Sequence, residues 1–120
     1  MGKITYEQIT KELSLGRWPY SGAITYVFTH DVSMTDTMDI KFTNANPCQL
    51  VNKLKTEIGK NIWICGGADV INQLMKEDLI DTFHISIIPL ILGGGTKLFE
   101  ETDDMINLEL VNILNYNGIV

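Results

Sequence analysis

No Gly-x-Gly-x-x-Gly and no Gly-Lys-Thr/Ser run occurs in this sequence, which removes the two most familiar glycine-rich phosphate motifs. Its 2 cysteines, Cys48 and Cys65, lack the close spacing of a redox or zinc motif and read as buried free thiols. The 2 histidines, His30 and His84, are far apart, so no metal-ligand pattern is present and no metal is expected. Positive charge is scarce as well. With 9 Lys and Arg against 15 Asp and Glu, the net charge of −6 argues against a nucleic-acid partner, though not against a small anionic ligand held by a few local cations. No apolar run is long enough to span a bilayer, and Met1-Gly2-Lys3 opens a polar stretch rather than a secretion signal. These absences leave no membrane partner and an expected cytoplasmic location.

What is there is 120 residues with 45% hydrophobic content, enough for one domain with a core and too little for two. The organising stretch runs from Asn61 to Met75. Its first part, Asn61 to Cys65, is apolar and β-branched or aromatic at the centre, the composition of a strand covered on both faces. Val70, Ile71, Leu74 and Met75 then fall at helical spacing, so a helix begins around Ala68 or Asp69. Only Gly66 and Gly67 separate the two, and their missing side chains allow a sharp turn and close approach by another molecule. A strand, a glycine pair and a helix start make a candidate phosphate cradle. The same residues also read as nothing more than a tight turn, and Asp69 in the first helical turn would repel a bare anion.

The remaining chain alternates between α and β. Thr5 to Leu13 reads as a helix with Tyr6, Ile9 and Leu13 on one face and a Thr5-x-x-Gln8 capping box. Ile24 to Thr29 is β-branched and aromatic, hence a central strand, broken by His30-Asp31-Val32-Ser33. Asp39 to Thr43 is a short strand. Asn46-Pro47 caps a helix that runs through Leu50, Val51, Leu54 and Ile58 and stops at Gly59. Beyond the glycine turn, Ile80 to Ile88 and Leu108 to Leu114 alternate as strands, with a permissive Gly93-Gly94-Gly95 loop between them, anchored to the core through Phe99. Asn115 to Gly118 is a hairpin turn. Trp18, Tyr20 and Trp63 read as packing residues rather than base-stacking platforms.

In this order the motifs resemble the dihydrofolate reductase-like family, especially the bacterial subgroup related to the reductase domain of riboflavin biosynthesis. Met1-Gly2-Lys3-Ile4-Thr5-Tyr6-Glu7 is similar to the family's Met-Gly-Arg-x-Thr-Tyr/Trp-Glu segment, and Tyr26-Val27-Phe28-Thr29-His30 to the strand that follows it. Ile64-Cys65-Gly66-Gly67-Ala68 resembles its glycine-pair turn, and Ile87 to Gly95 with Leu98-Phe99 its late glycine loop. The resemblance implies an α/β three-layer sandwich with a mixed, mostly parallel central sheet, in a single domain over residues 1–120. It implies NADPH as cofactor and hydride transfer to a pteridine- or aminopyrimidine-like small molecule. Gly2, Lys3 and Thr5 would then meet the pyrophosphate, Thr29 and His30 would lie near the adenosine and its 2′-phosphate, and Gly66, Gly67 and Ala68 would approach the nicotinamide and diphosphate side. The Gly66–Gly67 bond would be cis.

Each residue also has a plainer reading: Lys3 as a solvated lysine, Thr5 as a helix cap, His30 as a strand end. The departures from the family pattern carry equal weight. Relatives have a strand and helices before the Met-Gly motif and a last strand that continues further, so the resemblance implies a sheet lacking its first strand and the end of its last. No residue present identifies the proton source that hydride transfer requires. Two functions therefore stand: an NADPH-dependent reductase, or a shortened, inactive relative that keeps nucleotide binding or acts through a dimer surface. An unpaired sheet edge invites a second chain, so a homodimer is expected.

Overall fold

The computed structural model describes residues 1–102 and 105–120. Its elements, in order, are α1 (Lys3–Gln8), continued by a π-helical turn (Ile9–Leu13), β1 (Thr25–Phe28), β2 (Ile40–Thr43), α2 (Pro47–Thr56) and α3 (Ala68–Lys76). β1 and β2 pair in parallel, Thr25 opposite Ile40 through Phe28 opposite Thr43. On the other side of β1 the chain start adds one more parallel bridge, Gly2 to Phe28, with Phe28 N–H donating to the Met1 carbonyl at 2.9 Å. β1 is therefore the central strand its composition predicts.

Neighbouring residues of β1 serve different apolar clusters, as the period of a strand requires. Val27 is fully buried with Met1, Ile9 and Ile40, against which Tyr6, Trp18 and Phe42 pack. Phe28 lies against Val51, Val70 and Leu74 from α2 and α3. Trp18 packs between Tyr6, tilted to it, and Tyr20, edge-on to it, at centroid distances of 5.6 and 5.3 Å, so these aromatics do pack. Trp63 does not: it is 81% exposed.

Local chemistry explains the helix ends. Asn46 caps α2 as expected, its side-chain oxygen accepting from Cys48 N–H at 2.8 Å and Gln49 N–H at 3.2 Å, with Pro47 in the first turn. The helix ends at Thr56, so Ile58 lies outside it, fully exposed. α3 buries Val70 and Leu74 and closes with Asp78 at φ 52°, while Leu79 N–H donates back to the Leu74 carbonyl at 3.0 Å. The expected capping box is absent. α1 starts at Lys3 with Gly2 as its cap residue and no side-chain cap, which leaves Thr5 inside the helix. Its last turn widens, Ser14 N–H reaching the Ile9 carbonyl at 2.8 Å, and this extra residue per turn rotates Leu13 off the buried face to 78% exposure.

Three expected strands do not form. Asn61 to Cys65, Ile80 to Ile88 and Leu108 to Leu114 have the right composition, yet enter no ladder beyond one pair of hydrogen bonds between Ile87 and Val120. Composition selects which side chains a strand would bury, but a strand persists only where another backbone takes its N–H and C=O groups. The mostly parallel sheet of the expectation is thus two strands and a bridge among the described residues. The hairpin turn is present: Asn117 and Gly118 both have positive φ, and Tyr116 and Ile119 exchange hydrogen bonds at 2.9 and 3.0 Å.

Candidate functional site

α1 and the glycine turn face each other. A Cβ placed on Gly67 would lie 3.3 Å from Thr5 Oγ1, and one on Gly66 would lie 3.9 Å from the same atom, so the turn's bare backbone looks onto the Thr5 hydroxyl. Gly66 also has φ +84°, a conformation that favours glycine. The Gly66–Gly67 bond is cis, as the resemblance implies. Gly67 is the cap residue of α3 without any side-chain cap, Ala68 opens the helix, and Asp69 turns to Gln73, whose Nε2 donates to it at 3.1 Å. The Asp69 carboxylate is therefore engaged along its own helix.

Just before the turn, Cys65 Sγ shares a hydrogen bond with the Tyr20 hydroxyl at 3.0 Å, and that bond, followed by burial, raises the phenol's pKa. The Met1 ammonium donates to the Tyr26 carbonyl at 3.0 Å, and burial pushes its pKa down. Both cysteines are free and half-buried.

A cavity of about 330 Å³ opens at the carboxyl ends of β1 and β2, with Thr29, His30, Asp31, Met34, Phe42 and Asn44 among its lining residues. This is the rim at which parallel sheets usually receive ligands. Lys3 joins it to α1: its Nζ lies 2.7 Å from Asp31 Oδ2. Lys3 is therefore an ion-paired residue rather than a freely solvated one. Asp31 Oδ1 accepts from Ser33 N–H at 3.0 Å and from Ser33 Oγ at 2.6 Å, while Asp31 N–H donates to Thr29 Oγ1 at 3.0 Å. The Lys3 contact first, and the Ser33 donors after it, hold the Asp31 carboxyl well below the ordinary carboxylate range. His30 is an exposed member of the cavity rim.

The structure thus brings Thr5 against Gly66 and Gly67, and Lys3 against the Thr29–His30 cavity. Two features escape a reading of the sequence. Asp31 reads only as a strand breaker, although an acid directly after Thr29-His30 was the available signal. The Tyr20–Cys65 contact spans 45 positions and leaves no local mark.

The family described as the RibD C-terminal domain matches residues 14–119. The chain belongs to that family. Membership makes this a reductase-like α/β domain of a kind associated with riboflavin biosynthesis. The matched span contains Thr29, His30 and the glycine turn but begins beyond Gly2, Lys3 and Thr5; geometry alone brings Lys3 and Thr5 to the site, while Gly2 bridges to Phe28 and faces Val70. Two Bacillus subtilis proteins of this likeness are both described as uncharacterized. YwjB is 38% identical over 110 residues, covering 92% of this chain and 62% of its own length. YyaP is 41% identical over 96 residues, covering 79% of this chain and 50% of its own length. The chain accordingly spans between half and two thirds of these relatives.

Proposed function

We propose that this RibD C-terminal family chain holds the dinucleotide of a reductase that transfers hydride from a reduced nicotinamide to a pteridine- or aminopyrimidine-like small molecule. NADPH is the cofactor that the family leads one to expect. The observation that carries the reading is that α1 meets both the glycine turn, through Thr5, and the cavity at the carboxyl ends of β1 and β2, through the Lys3–Asp31 pair. A Cβ on Gly67 would crowd the Thr5 hydroxyl at 3.3 Å, so glycine is what lets α1 sit against the turn, and the half-buried main chain of Gly66, Gly67 and Ala68 is the part that would meet a diphosphate. When bound, the dinucleotide would supply the hydride. This chain's residues would bind and orient it, Gly66, Gly67 and Ala68 along the diphosphate and nicotinamide side, and Gly2, Lys3 and Thr5 from the head of α1.

Loss of the reduced-nicotinamide absorbance with dihydrofolate and with aminopyrimidine sugars as acceptors tests the reading. Oxidation in neither case, together with no dinucleotide binding, would remove it. Binding without turnover would instead favour the second function, an inactive relative acting through nucleotide binding or a dimer surface. The exposed Ile87, Leu110 and Ile113, at 63, 75 and 62%, support that alternative, because they lie in segments that form no sheet here and leave apolar surface open. The homodimer is part of the same proposal, with action in the cytoplasm; no helix of the described residues is long and apolar enough to cross a membrane. Sedimentation as a monomer at micromolar concentration would dismiss the dimer.

A further inference from the structure

The charge of the cavity beside β1 decides what can enter it. Its lining contains one carboxylate, Asp31, and no lysine or arginine. Lys3, the cation that approaches it, is committed to Asp31 at 2.7 Å, so the pair brings no net positive charge. A phosphate monoester carries roughly −1.5 to −2 charges at neutral pH and is usually met by an arginine fork or several cations. Here it would meet a carboxylate whose neighbouring cation is already taken. The residues present do not fit a 2′-phosphate.

A ribose diol suits the same place. A carboxylate has about four acceptor positions, and Asp31 has filled three of them with Lys3 Nζ, Ser33 N–H and Ser33 Oγ. The remaining one can accept from a sugar hydroxyl. Those bonds also fix the carboxylate's direction, which a specificity group needs. In dinucleotide-binding α/β proteins generally, an acid at this end of the cofactor selects the free 2′-hydroxyl and an arginine selects the phosphate.

We propose that the cavity takes an adenosine ribose with a free 2′-hydroxyl, that Asp31 is the residue choosing it, and that the hydride donor is NADH in place of NADPH. This rests on the dinucleotide reading above. It departs from the cofactor that family membership suggests, and it does so through the lining of one cavity.

The test is calorimetric titration of the whole chain with NADH and NADPH at about pH 8. NADH should bind about tenfold tighter, because a 2′-phosphate would find no lysine or arginine in the lining and the nearby Lys3 already engaged by Asp31. High salt should shrink the difference. Asp31→Asn should bring the two affinities close together, and because both ligands are measured on one preparation, any partly unfolded fraction cancels from the ratio. AMP should likewise bind better than adenosine 2′,5′-bisphosphate, which reads the adenosine end without the nicotinamide. Equal or tighter binding of NADPH by the unaltered protein, or a ratio unmoved by Asp31→Asn, overturns this inference and leaves the dinucleotide reading standing. Binding of neither dinucleotide overturns both.

Discussion

Asn72 holds Glu100 across α3: its Oδ1 accepts the Glu100 N–H at 3.1 Å, while its Nδ2 donates to the Leu98 carbonyl at 3.2 Å and to the Ala68 carbonyl at 2.7 Å. The residue is 1% exposed, and both of its polar atoms are engaged, in three hydrogen bonds. Such a group is costly to bury unpaired and modestly stabilising when satisfied. It binds the chain after the triple-glycine loop to α3, and Lys76 and Glu100 add an exposed ion pair at 3.2 Å beside it. Phe99, the anchor expected from hydropathy, remains 38% exposed and meets Phe83 edge-on at 6.0 Å. The attachment is therefore polar at its centre.

Asn72→Leu should cost about 1–3 kcal/mol in denaturant unfolding, since the Leu98 carbonyl and Glu100 N–H lose their partner while the helix keeps its propensity. Amide exchange at Glu100 should accelerate more than exchange within α2. Equal acceleration in both places would mean that the clamp has no local role.

Gly67→Ala should leave stability nearly unchanged, because its φ of −66° and ψ of 172° suit alanine and the Thr5 hydroxyl needs to give by only a few tenths of an ångström. Dinucleotide affinity should nevertheless fall, by about tenfold if one phosphate contact is lost. Thr5→Ala alone and in combination completes the comparison: a double variant that binds no worse than Thr5→Ala would assign the Gly67→Ala loss to crowding of that hydroxyl.

Asn46→Ala removes the acceptor for two N–H groups at the start of α2 and should destabilise by about 1 kcal/mol. Asn46→Asp should restore most of it. A thermal melt unchanged by the alanine variant would show that α2 is held by Val51 and its neighbours without help from the cap.

The Lys3–Asp31 pair sets a pH dependence at both ends of the scale. Asp31 is held below the ordinary carboxylate value of about 3.9, so its contribution is complete above that value and declines as pH falls toward its folded value. The Asp31 contact raises the Lys3 pKa against the opposing effect of burial, so the lysine contributes fully below about pH 10.4 and loses its contribution as pH rises through its higher folded value. Both side chains are about a third exposed, at 34 and 36%, so the effect is screened by solvent and salt. The stability difference between the protein and Asp31→Asn should accordingly be flat through neutrality and shrink in acid. A difference that grows on acidification would contradict the assignment.

Legibility followed the range of the interactions. The glycine turn, the start of α3 and the Asn46 cap of α2 depend on residues within a few positions of one another, and each was readable. Thr5 carries a capping pattern but sits inside α1, because the helix starts at Lys3, two residues before it, with Gly2 as the cap residue. The apolar alternation of Ile80 to Ile88 was real, but pairing depends on a neighbouring backbone that alternation does not specify. Asp31 and Lys3 are 28 positions apart, and only the folded chain shows that one neutralises the other.

Because β1 and β2 run in the same direction, the chain between them must return the whole length of a strand, and residues 29–34 of that return contribute much of the cavity wall. Its far end is secured separately, Phe42 N–H donating to Asp36 Oδ1 at 2.8 Å and Thr37 N–H to the Ile40 carbonyl at 2.9 Å. Exchanges at positions 32 and 34 can therefore reshape that wall between two fixed posts without moving either strand.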